Sequence, residues 1–264
     1  MLDVKKVKLG YTKDIMICNI DDNMQITETQ IKPLRITLED LHTQIEKIKF
    51  DAFYQSIGGR DNKDSELEDA KLVPFNLLFY YLFITQEKIP TLLTMICEYI
   101  NHFCVRKKGK GNFYTLKNEY KNNKDIRYSG CFFTIEALAG RISRAYNSFI
   151  REIELLFRFF QEKDFSARYS FQDDYGKHGV DLKVKYNEQI FGIRCSQKNK
   201  RSQEYNNRKT TTRRKQPFDE NRVIYMNIDK NNHENCGDIW IFPELQYEKA
   251  KAKIKEKGGN LNEF

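Results

Sequence analysis

The feature that most constrains this sequence is a change of hydrophobic period near residue 165. Between Ile135 and Phe160 apolar residues recur at every third or fourth position, which is typical of one long amphipathic helix. Residues 180–186 then alternate apolar and polar side chains, which indicates a half-buried strand. The patterns that follow predict a helix over residues 134–162, strands over 167–171, 180–186, 189–197, 223–228 and 238–242, and a last helix over 243–257.

The first half of the chain has a different pattern. Apolar runs at residues 7–9 and 15–18 predict short strands, and Thr37 followed by Asp40 predicts the cap of a helix over residues 38–57. Two apolar helices are expected at residues 74–86 and 90–103. The expected fold is α+β overall, with a mainly helical N-terminal domain with a small β element (1–130) before an α/β domain (131–264).

The net charge of the chain is concentrated in one place. Residues 194–215 contain nine basic residues and a single acid, Glu204, which accounts for the whole net charge of +8. Arginine, lysine, asparagine and hydroxyl side chains are the groups that contact phosphates and base edges. We therefore expect nucleic acid to contact this segment, through Lys200, Arg201, Tyr205, Arg208, Lys209, Arg213, Arg214 and Lys215. The plain alternative is a solvated charged loop.

Several classes of protein do not fit this composition. No apolar run approaches the roughly 20 residues that a membrane span needs, and the first residues lack the apolar middle of a signal peptide. The six cysteines form no CxxC pair, and the four histidines complete no zinc spacing. We expect a cytoplasmic protein with reduced thiols, no membrane association and no structural zinc.

A short motif links two of the predicted strands. It reads Gly179-Val180-Asp181 and, after a turn, IFGIRCS over residues 190–196. Adjacent antiparallel strands place a carboxylate at the start of one strand close to polar groups of the next. A divalent ion bound there would activate water and stabilise a phosphoryl oxygen.

With this motif and the element order helix, three strands, helix, strand, residues 134–242 resemble the PD-(D/E)xK nuclease superfamily, which includes many restriction endonucleases. The resemblance implies a restriction-endonuclease-like mixed sheet flanked by helices, with Mg²⁺ or Mn²⁺ as cofactor. It implies that Asp181 is a metal ligand and that Glu152, on the long helix, completes the metal site. It also implies DNA as substrate, a host-defence setting, and either a homodimer or a partner subunit.

The third strand of the motif departs from the family pattern. Arg194 stands where the family has an acid, and Ser196 stands where it has lysine. Because an arginine repels a divalent cation, an active enzyme needs an acid and a lysine from other positions. We expect Lys198, two residues further along the same face, to replace the lysine. Glu204 then replaces the acid, and Arg194 contacts the scissile phosphate or its neighbour.

With these replacements, the resemblance implies a metal-dependent endodeoxyribonuclease. The alternative is a catalytically inactive, nuclease-like subunit that binds nucleic acid within a larger complex. RNA is the weaker candidate ligand, because the chain has no RNA-recognition signature. Plainer interpretations remain for two residues: Asp181 as an ordinary strand-end aspartate, and Glu152 as a solvated helix residue or as the partner of a distant base.

Overall fold

The structure is a computed structural model that describes residues 7–9, 14–20, 26–33, 35–50, 75–102, 104–106, 113–115, 125–128, 131–169, 180–197 and 218–259. The helices in this part of the chain are α1 (Leu38–Glu46), α2 (Phe75–Gln86), α3 (Leu92–His102), α4 (Ile135–Gln161) and α5 (Glu244–Gly259). The strands are β1 (Val7–Leu9), β2 (Asp14–Ile20), β3 (Ile26–Pro33), β4 (Cys104–Arg106), β5 (Phe113–Thr115), β6 (Asp125–Tyr128), β7 (Cys131–Thr134), β8 (Ser166–Tyr169), β9 (Leu182–Tyr186), β10 (Gln189–Gln197), β11 (Val223–Ile228), β12 (Glu234–Cys236) and β13 (Ile239–Ile241).

The chain divides into two compact units. The first contains residues 1–8, 15–35 and 48–149, and the second contains residues 9–14, 36–47 and 150–264. Helix α4 contributes its residues up to Phe149 to the first unit and those from Ile150 to the second. The candidate site residues that the structure describes all belong to the second unit.

In the first unit, the two predicted apolar helices are confirmed as α2 and α3. The α2 side chains from Leu78 to Ile84 whose burial is described are at most 1% exposed, so α2 is buried around its circumference. The Phe79 ring packs against Tyr146 and Phe149 of α4, with centroids 5.9 and 5.5 Å apart. The same unit contains most of the three-stranded sheet β1-β2-β3 and the antiparallel pairs β4-β5 and β6-β7.

Helix α1 begins as the sequence predicts and ends earlier. Thr37 and Asp40 form a reciprocal capping box, in which Asp40 N–H donates to Thr37 Oγ1 and Thr37 N–H donates to Asp40 Oδ2. The predicted extent, residues 38–57, is wrong at its far end, because the helix ends at Glu46 with Lys47 as its C-cap. Leu41 and Ile45 are its buried residues, so its apolar face ends with the helix.

The second unit is a mixed α/β domain built on a four-stranded sheet. The strand order is β11-β10-β9-β8, and β10 is antiparallel to β9 and parallel to β11. The β9–β10 hairpin turns at Asn187 and Glu188, whose φ values of 45° and 63° are those of a tight type I′ turn. The predicted turn is thus confirmed. Parallel neighbours need a crossover connection, and residues 198–222 connect β10 to β11 along the chain.

The two faces of this sheet differ in character. One face is apolar, and each of its residues is at most 4% exposed: Ala167, Tyr169, Leu182, Val184, Phe191, Ile193, Ile224, Met226 and Ile228. Helices α4 and α5 cover it, since the Tyr169 hydroxyl donates to Glu152 and a Cβ on Gly258 would lie 2.7 Å from the Tyr186 ring. The opposite face, which we call the polar face, carries Arg168, Lys183, Gly192, Arg194, Ser196, Tyr225 and Asn227 at paired positions.

A buried charge cluster joins three helices of the second unit. The Arg158 guanidinium donates to Glu154 Oε1 at 2.6 Å and to Glu244 Oε2 at 2.9 Å. His42 Nε2 lies 3.0 Å from the same Glu154 oxygen. Glu154 is fully buried, so these partners offset the cost of removing its charge from water.

None of the helices in the described part of the chain has the length and apolarity to cross a membrane.

Candidate nucleic-acid and metal site

Asp181 sits where β9 begins and is fixed by the neighbouring strand. Its main-chain N–H donates to the Ile193 oxygen at 2.8 Å, although Ile193 pairs with Leu182, so this bond lies one residue out of the β9–β10 register. Its carboxylate Oδ2 accepts the main-chain N–H of Cys195 at 2.6 Å. The side chain therefore takes the place of the next main-chain acceptor. This contact fits both a metal-site aspartate and the plain strand-end role.

Position 192 of the motif is glycine because a larger side chain would clash there. A Cβ on Gly192 would lie 2.5 Å from Val180 Cγ1 and 3.2 Å from the Phe218 ring. Val180 precedes Asp181, and Phe218 is the first described residue after the basic segment. Both side chains therefore pack onto the polar face at Gly192, so the motif residues Val180 and Gly192 fit one another.

Arg194 takes part in a closed arrangement of three polar side chains. Its Nη1 donates to the Tyr225 hydroxyl at 2.7 Å, and its Nη2 lies 3.1 Å from Glu220 Oε1. The Tyr225 hydroxyl donates to Glu220 Oε2 at 2.7 Å. Burial and the hydrogen bond to Glu220 raise the pKa of Tyr225, and the Arg194 charge opposes that rise. A carboxylate therefore binds the arginine that was expected to bind phosphate.

Ser196 and Asn227 form the next pair along the polar face. The Ser196 hydroxyl donates to Asn227 Oδ1, and the two residues are partners in the β10–β11 register. Neither side chain is charged, so the strand position where the family has lysine carries a neutral pair. Lys198, the proposed replacement, lies outside the described residues.

Glu152 is buried within the core, so the solvated interpretation is wrong. The residue is 6% exposed, and its Oε2 accepts the hydroxyl of Tyr169, the last residue of β8. The preceding residue, Arg151, donates from Nε to the main-chain oxygen of Trp240 at 2.9 Å. Burial lowers the pKa of Arg151, while the nearby Cys195 and Glu152 act in the opposite direction.

These contacts place Glu152 and Asp181 at the same end of the sheet. Tyr169, which binds Glu152, pairs with Leu182, the neighbour of Asp181. Strand β10 ends there too, at Gln197, immediately before the basic segment. Within the described residues, no group of three or more His, Cys, Asp or Glu side chains is placed to hold a metal. Two carboxylates still suit Mg²⁺, which usually keeps several waters and binds one or two protein carboxylates.

The rest of the predicted site lies outside the described residues. This applies to Glu204 as well as Lys198, and to every residue expected to contact nucleic acid along the basic segment: Lys200, Arg201, Tyr205, Arg208, Lys209, Arg213, Arg214 and Lys215. Those roles remain predictions. Asp181, Arg194 and Ser196 lie near the end of β10, and Glu152 approaches that end from α4.

Three residues of the site had no clear signal in the sequence. Lys183 is 8% exposed on the polar face, with its amine 5.9 Å from the Phe218 ring centroid, although its alternating pattern resembles that of a solvated position. Tyr225 and Glu220 follow Arg194 by 31 and 26 positions. No local spacing rule connects them to Arg194, and only the parallel register of β10 and β11 does.

Comparison of the chain with protein-family models, with curated proteins and with solved structures finds no match. The structure itself defines the class of the second unit: a mixed α/β domain with a four-stranded mixed sheet, one face of which is polar.

Proposed function

We propose that this protein is a DNA-binding endonuclease of the restriction-enzyme-like type, which hydrolyses phosphodiester bonds with a divalent metal. The supporting observation is that Asp181 and Glu152 lie at the end of the sheet where β10 leads into the basic segment. A site for a polyanion and two carboxylates for a metal would then be adjacent. This juxtaposition is what a phosphodiesterase of this kind requires.

The proposal gives direct roles to three described residues, Asp181, Glu152 and Arg194. Asp181 and Glu152 would hold the metal, which would stabilise charge on a phosphoryl oxygen when bound. The Cys195 N–H and the Tyr169 hydroxyl each orient one of those carboxylates. Arg194 would bind the scissile phosphate or its neighbour after exchanging Glu220 for it. The basic segment would hold the DNA backbone, and Lys198 would orient the attacking water.

Cleavage of supercoiled plasmid tests the enzymatic part. The protein is incubated with plasmid and with short duplex DNA in Mg²⁺, in Mn²⁺ and in EDTA, beside the variants Asp181→Ala and Asp219→Asn. Asp219 is a half-exposed aspartate that pairs with Arg222, so its variant is a control for loss of one carboxylate. We expect metal-dependent cutting that Asp181→Ala abolishes and Asp219→Asn retains. Equal cutting by both variants would exclude Asp181 from the site.

A second candidate function is a nuclease-like subunit that binds nucleic acid and does not cut. One observation favours it: Arg194 already binds Glu220, so a phosphate must displace that carboxylate. This candidate predicts no cleavage under any metal and DNA binding that is unchanged by Asp181→Ala. Parallel binding assays with RNA of the same sequence identify the preferred nucleic acid, and sedimentation of the complex measures whether it is a dimer.

The basic segment has its own test. Replacing Arg213, Arg214 and Lys215 by glutamate should weaken DNA binding and flatten its dependence on salt, because fewer counterions are released. An unchanged salt dependence would identify the segment as a solvated loop and would contradict both candidate functions.

A further inference from the structure

A groove of about 300 Å³ lies along β11 beside the first turns of α5. Within the described sheet β11 is an edge strand, paired only with β10. Three large hydrophobic side chains of the described residues are exposed, and two of them, Tyr225 and Leu245, line this groove, at 53% and 66% exposure. Exposed apolar side chains that share a groove commonly mark a binding surface.

The charge of the groove comes from two lysines one helical turn apart. Lys249 and Lys253 both line it, and no carboxylate in the described part of the chain lies within ion-pair distance of either. Lys251 and Lys255 of the same helix instead pair with Glu162 at 2.5 Å and Asp164 at 3.3 Å. Carboxylates therefore pair with Lys251 and Lys255, Lys257 donates to the Asn221 main-chain oxygen, and the ammonium groups of Lys249 and Lys253 remain at the groove.

The groove is continuous with the polar face through Tyr225. This residue lines the groove, its hydroxyl accepts from Arg194 at 2.7 Å, and its ring centroid lies 5.4 Å from the guanidinium carbon. The side of the groove nearest α5 is held in place by Gln246, whose Nε2 donates to the Asn227 oxygen at 2.8 Å. An aromatic ring thus stands between an arginine on one side and two lysines on the other.

We propose that this groove binds a single strand of nucleic acid, with one base against Tyr225 and Leu245 and the flanking phosphates at Lys249 and Lys253. An aromatic platform beside cationic side chains is the usual arrangement for sequence-tolerant single-strand binding. A volume near the lower limit of ligand pockets suits one base better than an extended peptide. The inference rests on the proposed nucleic-acid binding and adds a strand-specific subsite to it.

The test measures binding of a fluorescent twelve-nucleotide oligo-dT and of a twelve-base-pair duplex across a salt series. The pair Lys249→Gln/Lys253→Gln is compared with Lys251→Gln/Lys255→Gln, which removes equal charge from the same helix, and thermal melts confirm that both remain folded. We expect the first pair to weaken oligo-dT binding about tenfold and to reduce the salt slope by about 1.4, because each phosphate neutralised on a single strand contributes about 0.7 to that slope. The second pair should lower affinity less than twofold.

The variant Tyr225→Leu tests the aromatic contact separately from charge, because the substitution removes no charged group. It should weaken oligo-dT binding at least fivefold with an unchanged salt slope, because stacking releases no counterions. Equal losses from the two lysine pairs would overturn the inference, as would displacement of oligo-dT by poly-glutamate at similar concentrations. If the wild type binds oligo-dT and only the charge reversal at Arg213, Arg214 and Lys215 disrupts that binding, the groove subsite is refuted and the proposed function is not. Absence of any nucleic-acid binding would refute the proposed function as well.

Discussion

Replacing Glu220 by glutamine should make the protein bind DNA more tightly. Glu220 now holds Arg194 through Oε1 at 3.1 Å and accepts the Tyr225 hydroxyl through Oε2 at 2.7 Å. A phosphate that binds Arg194 must displace this carboxylate. Glutamine has nearly the same shape and lacks the charge, so the variant preserves the local packing and removes the competitor.

The magnitude follows from the exposure of the pair. The Glu220 side chain is 54% exposed and that of Arg194 is 13% exposed, so the pair lies at the surface. Ion pairs of this kind contribute up to about 1 kcal/mol, which corresponds to a factor of about five in Kd. An Arg194 that binds a phosphate in place of Glu220 neutralises one more backbone charge, so the salt slope on duplex DNA should steepen by about 0.9.

The assay is fluorescence anisotropy on a duplex across a salt series, with Asp219→Asn as the control. Asp219 stands beside Glu220, its pair with Arg222 is 3.7 Å long and exposed, and asparagine can still cap the Asn221 N–H. The control should change Kd less than twofold and leave the slope unchanged. Equal gains from both variants would mean that net charge alone acts, and would refute the idea that Glu220 occupies a phosphate site.

Two further predictions concern stability. Arg158→Ala should cost about 3–5 kcal/mol, because it leaves the fully buried Glu154 without its closest partner, whereas Arg222→Ala, in an exposed pair, should cost under about 0.5 kcal/mol in the same urea titration. Gly237→Ala should cost more than about 1 kcal/mol, since φ is +57° and the new Cβ would lie 2.9 Å from a main-chain atom of α1. Gly259→Ala, with no atom within 4 Å, should stabilise the helix slightly, and reversed signs would contradict this account.

The periodic parts of the fold could be predicted from the sequence because burial enforces their period. The long stripe predicted α4 to within one residue at each end, and the strands predicted over residues 189–197 and 223–228 have the same bounds as β10 and β11. The strands β4, β5, β6, β7 and β12 were not predicted. Each has only three or four residues and pairs with a strand close in sequence, too short a length for alternation to show.

The site was predictable only where one motif contained it. Asp181 was selected because it begins a strand, and its contact with Cys195 depends on the β9–β10 hairpin that the same motif predicts. Glu152 was judged from its neighbours on the helix, which say nothing of Tyr169 on the next strand. Glu220 and Tyr225 meet Arg194 only through the parallel pairing of β10 and β11, which no spacing rule reports.

Glu220 is also a candidate for the acid that β10, the third strand of the family pattern, lacks. The superfamily resemblance expects a carboxylate at position 194, and the structure has an arginine there with the Glu220 carboxylate 3.1 Å away. If Glu220 served as the missing acid, Glu220→Gln would abolish cleavage while it strengthened binding. If Glu220 only competes with phosphate, the same variant would strengthen binding and leave cleavage intact. Measuring both quantities on one variant therefore separates a displaced catalytic acid from a competing anion, which binding or cleavage alone does not do.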